Sequence, residues 1–457
     1  LNQKLSKKPY QTNREDGMTT SALARRAITI FQDHIEALGY KPLVHFELEG
    51  CCHSSQNSAS QAPFNRTLSG TKAGTKTGNK LATAAELSHR KSASHRGREH
   101  TRERKLSSEH FVHINKALKH AGIEGQLVAE YWHNQWEYVS LFAGQSPLKE
   151  AQNLAQAMQL LPKLFAQHGF DQTLIKPVVW SGDQGQLALG SKNIFTEKAR
   201  AVHIPNAIQV NVSVLDSDGE NLVARDNFGE LLQRCFLNTS LANCLLFMPE
   251  PDAFERLALK NKYGLAQELC SPTDISGGHQ GSIALYKERG KHNQPMGVEV
   301  ILYDQHSQAL LSEQNWQKTA RVEHRLGSAS MAYDPYVNVV FALANLVDAL
   351  EAYHNDKGRA LLATPFIEQA LPVQMYSRIK EHHLNNGLDN KCTTKQAQEP
   401  SAYELFAGSD WLAKRINRSG QALNKSNLLH RELGEQLTRS VLTKYQPNNN
   451  IALLTTG

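Results

Sequence analysis

Five acidic residues stand on strand-like segments among apolar neighbours. They are Glu47 and Glu49 in "LVHFELEG" (43–50), Glu130 and Glu137 in "AEYWHNQWEYVS" (129–140), and Glu323 in "TARVEHRL" (319–326). Residues i and i+2 of a strand face the same side. Glu47 and Glu49 therefore converge on one surface, where their repulsion calls for a counter-charge. A hard divalent cation such as Mg²⁺ or Mn²⁺ would supply it, since such ions take carboxylate oxygens and keep positions open for phosphate. By spacing alone, an ordinary solvated strand face explains two glutamates two residues apart better than a metal site does.

The elements around these residues suggest an α+β fold, with antiparallel-looking strands in groups and helices between them. Residues 20–39 have Ala24, Ile28, Phe31, Ile35 and Leu38 at helical steps, with Thr20 or Ser21 to cap the start and Gly39 to end it. Residues 109–123 and 146–170 read as further amphipathic helices, and Pro162 is expected to kink or divide the second. "NAIQVNVSVL" (206–215) alternates, with Ile208, Val210, Val212 and Val214 on one side and Gln209, Asn211 and Ser213 on the other. Residues 227–247 and 254–269 read as helices, "GSIALYKE" and "MGVEVILYD" as strands, and 334–353 as a helix with Pro335 in its first turn. An amphipathic helix closes the chain over 426–446. The expected division is an N-terminal tail over 1–19, a main domain over 20–372 interrupted by a basic, disordered insertion at 51–106, and a helical extension of that domain over 373–457.

Charge follows this division. Residues 51–106 hold eleven Lys and Arg against three Asp and Glu, whereas the rest of the chain carries 39 basic and 41 acidic residues. Basicity belongs to one Ser-rich segment with little to bury, so a nucleic-acid partner for the folded body is not expected. No run of about 18 apolar residues suggests a membrane span. The opening "LNQKLSKKPYQTNREDG" has no apolar stretch of a secretory kind. Six cysteines without CxxC spacing read as free thiols in a reducing cytoplasm.

Taken together, these segments resemble the catalytic domain of glutamine synthetases. "ARRAITIFQDHIEALGYKPLVHFELEG" is similar to that family's first catalytic helix and its "LGY.P.V..ELE" strand. "AEYWHNQWEYVS" resembles "E...GQ.E", with Gln135 two before Glu137, and "EAQNLAQAMQLLPKLFAQHGFD" resembles the helix that follows. "IQVNVSVLDSDGENLV" resembles "GMHVHQSL.D..G.NLF", and "KTARVEHRLGSASMAYDPYVNVVFALANLVDAL" resembles "KARRIE.R....ANPYLALAA.LAAGLDG". The five matches are collinear over about residues 20–353. The resemblance starts at the first catalytic helix, with no counterpart before it for the family's small β-grasp domain.

The resemblance implies a curved antiparallel sheet of the glutamine synthetase/guanido kinase-like kind with helices behind it. The implied protein is an ATP-dependent carboxylate–amine ligase working through a γ-glutamyl phosphate. It would use ATP and two or three Mg²⁺ or Mn²⁺ ions, glutamate or a related acid, and ammonia or an amine, in a cytoplasmic homo-oligomer. By motif position, Glu49, Glu130 and Glu137 would hold one metal, and Glu47 and Glu323 a second. Arg325 would meet phosphate or the substrate carboxylate, and Lys318 and Arg321 would lie toward the nucleotide.

The chain also departs from the pattern. Gln209 and Asn211 stand where the family has two inward histidines, the first of them a metal ligand; a glutamine carbonyl can still ligate Mg²⁺. The stretch matching the substrate-binding arginines offers His279, Gln280 and Leu285, with Lys287 or Arg289 as the nearest substitutes. Of the family's flap over the substrate, Arg256 and Leu257 remain, so Arg256, like Asn211, is a further candidate to meet substrate or nucleotide, and Glu268 is out of place for the flap glutamate. These changes favour an acid or amine other than glutamate and ammonia, such as one giving a γ-glutamyl-polyamine. The alternative is a catalytically inactive relative that binds nucleotide or metal.

Overall fold

In the computed structural model, the described residues are 18–54, 104–141, 143–181, 201–260, 268–269, 282–287, 298–303, 305–306, 308–313, 316–355, 357–367, 369–377, 399–423 and 432–447. The strands of the main sheet are β1 (Lys41–His53), β2 (Gly125–Ala129), β3 (Gln135–Ser140), β4 (Gln172–Leu174), β5 (Ala207–Leu215), β6 (Ile283–Tyr286) and β7 (Arg321–Ser328). Their order is β2-β3-β1-β5-β7-β6, with β4 paired to the far end of β1, and every pairing is antiparallel. The fold is thus α+β, an antiparallel sheet flanked by helices.

The period-2 alternation decides the two faces. Val44, Phe46, Leu48 and Cys52 of β1 and Ile208, Val212 and Val214 of β5 are fully buried on the helix side. Against that side lie α1 (Thr20–Ala37), α2 (Ser108–His120), α3 (Pro147–Gln167), α4 (Phe228–Ser240) and α6 (Pro335–Tyr353); α5 is Asp252–Lys260. At the C-terminal end α7 (Trp411–Ala422) and α8 (Leu433–Lys444) pack on α1 and on each other. Helix α6 is long and apolar enough to cross a membrane by composition, contrary to the sequence reading, but most of it is buried as the central core helix. Asp334 caps its start by accepting from the N–H groups of Tyr336 and Val337 at 3.1 and 3.3 Å, with Pro335 at the first turn.

Three local expectations need correction. Helix α3 is not divided at Pro162; Met158, Leu161, Leu164 and Phe165 lie in the core on both sides of the proline and hold the two turns together. The helix expected over 254–269 ends with α5 at Lys260, and Glu268–Leu269 form a short strand pair with Gln369–Ala370. Finally, β1 continues through Cys51, Cys52 and His53, all buried, so ordered strand reaches three residues into the segment assigned to the basic insertion. Residues 55–103 of that insertion lie outside the described residues, as does most of the tail over 1–19. Both ends of the segment are tied to one residue. The carbonyl of Asn134 accepts from Cys52 N at 2.9 Å, its Oδ1 accepts from Leu106 N at 2.9 Å, and its Nδ2 donates to the Arg104 carbonyl at 3.1 Å.

Candidate active site

The face of the sheet away from the helices carries the chemistry. On β1 the register places Glu49 opposite Glu137 of β3, and Glu47 opposite Gln209 of β5. On β7, Glu323 stands opposite Asn211 of β5. Four of the five predicted carboxylates therefore share one face, spread over three strands. Glu130 lies just past the end of β2, its N–H donating to the Gln135 carbonyl at 3.3 Å. The strand stops there because Asn134 takes a left-handed backbone (φ 66°), a conformation asparagine tolerates better than most residues. Among the described residues no group of three or more His, Cys, Asp and Glu side chains is close enough together to hold an ion. The expected trio of Glu49, Glu130 and Glu137 shares a region of the sheet without closing on one point.

Glu47 and Glu323 belong to a closed ring of side chains. Asn211 Nδ2 donates to Glu47 Oε1 at 3.0 Å, and Asn211 Oδ1 accepts from Arg321 Nε at 2.7 Å. The other end of Arg321 pairs with Glu323, NH2 to Oε2 at 3.5 Å. Gln209 completes the ring: its side-chain amide lies between the carboxylates, 2.5 Å from Glu323 Oε1 and 3.3 Å from Glu47 Oε2. Without an ion its NH2 turns toward them, whereas a cation held between the three groups would take its oxygen instead. Arg325 adds an ion pair from outside the ring, Nε to Glu323 Oε1 at 3.2 Å. Gln209, Asn211, Glu323 and Arg325 are all at least 95% buried. Arg321 lies with its guanidinium carbon 4.7 Å from the centroid of the Tyr286 ring, the residue opposite it on β6. Burial, followed by the nearby Glu323 charge, raises the Tyr286 hydroxyl well above its ordinary value, so it stays a neutral donor at neutral pH.

Arg256 was expected near substrate. It is instead 2% exposed, and its guanidinium reaches the backbone carbonyls of Leu326 and Arg325 at 3.4 and 3.5 Å. The reason lies in β7, where a bulge between His324 and Gly327 takes Arg325 and Leu326 out of register with β5. Arg256 sits against the carbonyls that the bulge turns away from the ladder. Burial lowers its guanidinium to about 10, with Glu49 pulling the other way, so it remains charged at neutral pH.

Lys318 is exposed in the 3-10 turn Trp316–Thr319, ahead of the strand that carries the ring. Lys287 turns to α4, where its Nζ donates to the Asp226 carbonyl and pairs with Glu230 at 3.4 Å. His279, Gln280 and Arg289 lie outside the described residues. Two supporting groups were not anticipated. Ala207 N donates to Glu49 Oε2 at 2.9 Å, and Asn206 Oδ1 accepts from Gln135 Nε2 at 3.0 Å, which ties β3 to the start of β5. The "HIPNA" stretch before β5 contained that asparagine, but nothing in its spacing marks it.

Neither a protein-family model nor a curated protein matches the chain. Among solved structures, a glutamine synthase homologue is 15% identical, with 95% of this chain and 72% of that one covered and a TM-score of 0.48. An apo GmaS structure is 13% identical, covering 95% and 77%, with a TM-score of 0.45. A Plasmodium falciparum glutamine synthetase is 11% identical, covering 96% and 80%, with a TM-score of 0.46. The structural neighbours of this chain are glutamine synthetase homologues.

Proposed function

We propose that the polar sheet face binds a magnesium nucleotide and that the protein is an ATP-dependent carboxylate–amine ligase of the glutamine synthetase type. The observation that carries this reading is the placement of Glu49 directly opposite Glu137, with Glu47 and Glu323 on the same face. Opposed like charges destabilise a ladder unless something neutralises them. Mg²⁺ is commonly held by one or two carboxylates together with water and substrate phosphates, so a two-carboxylate station suits it better than an all-protein cage would. The collinear motifs supply the reaction class: a carboxylate oxygen takes the terminal phosphoryl group of ATP, and an amine nitrogen then displaces phosphate from the acyl phosphate and gives up a proton.

A bound cation would neutralise phosphoryl oxygens as they approach. Glu49 and Glu137 are the residues to hold it, with Glu130 at the turn beside them. Arg325 and Arg321 place two guanidiniums where charge develops on the transferred group, held in direction by Glu323 and Asn211. The acid is glutamate or a relative, the amine is ammonia or a larger one, the setting is cytoplasmic, and the protein acts as a homo-oligomer.

The test is Mg²⁺- or Mn²⁺-dependent ATP hydrolysis and γ-glutamyl transfer over a panel of amines, with Glu137→Ala and Glu323→Ala alongside. Both variants should lose activity; turnover unaffected by either would refute the ligase reading. The closed ring around Glu47 and Glu323 favours one second reading, a relative that binds nucleotide without turnover. In that case Mg-ATP raises the melting temperature while the whole amine panel gives no product.

A further inference from the structure

We propose that His110 is an acid-sensitive latch: its neutral imidazole holds the first turn of α2 and the stretch 104–107 that leads into it, and a second proton on the ring releases them. The device does not depend on the ligase reading. Three observations carry it.

The first is a hydrogen bond that fixes a protonation state. His110 Nδ1 accepts from the backbone N–H of Ser107, the residue before α2, at 3.0 Å, and lies 2.8 Å from Ser107 Oγ. A backbone N–H can only donate, so Nδ1 carries no hydrogen and the ring's one proton is on Nε2. The bond is one half of a capping box, at a position where helices ordinarily use Glu or Gln. A doubly protonated ring would turn an N–H against the Ser107 N–H and set a positive charge at the positive end of the helix dipole. The second observation is the company the ring keeps. It lies edge-on to His168, at the C-cap of α3, and to Phe170, with centroids 5.5 and 5.4 Å away, and His113 lies 5.8 Å from His168. Arg104 donates to the His168 carbonyl, which brings a permanent guanidinium to the same corner. Among the described residues, the charged and titratable groups acting on His110 are His168, Arg104, Glu109 and His113, and only Glu109 is an anion. Its carboxylate stands 3.8 Å from His113. Burial, then His168 and Arg104, hold the His110 imidazole below its ordinary value of 6.5, with Glu109 opposing and His113 adding to the effect. The contribution of the neutral ring to stability is therefore complete above 6.5 and is lost as pH falls below it through the folded value. The third observation is what the latch holds. Leu106 N and the Arg104 carbonyl are bonded by the side chain of Asn134, at 2.9 and 3.1 Å. Asn134 in turn, with its left-handed backbone, stands in the turn that holds Glu130. Loosening 104–107 therefore weakens a support of the acidic face as well as a helix end.

The test is hydrogen exchange of the full-length protein between about pH 7.5 and about pH 5.5, followed by mass spectrometry on peptides covering 104–114. Protection factors are compared, since they divide out the intrinsic pH dependence of exchange. Over this range wild type should lose roughly fivefold in protection at 104–114, the worth of one helix cap, while peptides from β5 stay constant. His110→Gln keeps a neutral acceptor at the same position and should hold its protection across the range. His110→Glu, the ordinary capping-box residue, serves if His110→Gln does not fold. His110→Ala should show low protection already at about pH 7.5 and lose no more on acidification. Wild-type protection that does not change with pH would overturn the inference. So would a loss in His110→Gln, or in His110→Glu where that variant replaces it, equal to that of wild type. A loss in β5 as large as that over 104–114 would overturn it by showing that acid acts on the whole fold, and wild-type protection in His110→Ala at about pH 7.5 would show that the ring holds nothing.

Discussion

Gly50 offers a way to disturb the Glu49–Glu137 pair without touching either carboxylate. It stands opposite Trp136 in the β1–β3 ladder, on the core side; Glu49 adjoins Gly50 and Glu137 adjoins Trp136 in sequence, so the acidic pair lies on the reverse face. A Cβ placed on Gly50 would lie 2.4 Å from Trp136 Cζ2, 2.7 Å from Cη2 and 2.9 Å from Cε2. Carbon atoms pack comfortably at about 3.5–4.0 Å, so the indole must move by roughly 1 Å. It has no room to do so, being fully buried with its ring centroid 5.3 Å from that of Phe165. Overpacking of this kind costs about 1–3 kcal/mol, and the contact with three ring atoms places Gly50→Ala near the top of that range. Trp136→Phe alone leaves a small void and should cost about 1–2 kcal/mol. Because the smaller ring vacates the space the new methyl needs, the double variant should be at least about 1 kcal/mol more stable than the sum of the two losses. Urea unfolding at neutral pH measures all three. Mn²⁺ affinity should fall in Gly50→Ala, as the displaced Trp136 carries Glu137 with it, and recover in the double variant. Losses that add to within about 0.5 kcal/mol would refute the reasoning, since they would mean the methyl and the indole never meet.

Three further perturbations probe the supports around that pair. Arg256→Met should destabilise by about 2 kcal/mol by leaving the bulge carbonyls of Arg325 and Leu326 without their donor, and Arg256→Lys should recover less than half of this in urea unfolding, because one ammonium cannot span both oxygens. Arg415 is 99% buried and bonds Glu351 through both terminal nitrogens, at 2.7 and 2.5 Å, and Asp348 at 3.0 Å, which joins α7 to α6. Burial pushes the Glu351 carboxyl up, yet the Arg415 hydrogen bond and charge outweigh it and hold the group below its ordinary value of 4.5. Its contribution is therefore complete above that ordinary value and lost as pH falls through the folded one. Arg415→Ala should cost about 2–3 kcal/mol at pH 7, below the range for a fully buried pair because Glu351 is 43% exposed, and its loss relative to wild type should shrink in urea series taken toward acid pH. Asn134→Ala should cost about 2–3 kcal/mol by removing the two side-chain bonds to Arg104 and Leu106 and straining a left-handed backbone. Asn134→Gly should cost less, as it relieves the strain while losing the same bonds.

The alternation that placed Glu47 with Glu49, and Gln209 with Asn211, was legible because a strand buried on one side must repeat every two residues. Helix α6 was legible from its Asp-Pro start and apolar length. Pairing was not, since no residue in "FELEG" indicates that Glu49 will lie opposite Glu137 and not one step along. That Glu130 would lie just past the end of its strand was not legible, because the strand stops at a left-handed Asn134 and a single asparagine in "WHNQW" does not announce that conformation. Arg256 read as a substrate residue because a bulge in β7, about seventy residues further on in the chain, gives it another occupation. The expected break at Pro162 did not occur because packing on both sides outweighed the lost backbone bond. In each of these cases the deciding contact comes from a residue remote in sequence, or from a local backbone state that several residue types could adopt.

The amides at 209 and 211 illustrate the same limit in its chemical form. A glutamine can present its oxygen to a cation or its nitrogen to an anion, and its sequence position is identical in both roles. What selects the role is the charge already assembled around it. Around Glu323 that charge comes from its own strand, where Arg321 and Arg325 stand at i−2 and i+2 and pair with it at 3.5 and 3.2 Å. Arg321 also takes the oxygen of Asn211, which leaves the Asn211 nitrogen for Glu47. One arginine thus sets the polarity of the amide at 211. Arg321→Gln should release Asn211 and remove one positive charge from the ring, so Mn²⁺ should bind the protein more tightly, as read from the loss of its free-ion electron paramagnetic resonance signal on titration. An Arg321→Gln protein that binds Mn²⁺ no more tightly than wild type would refute the control of Asn211 by that arginine.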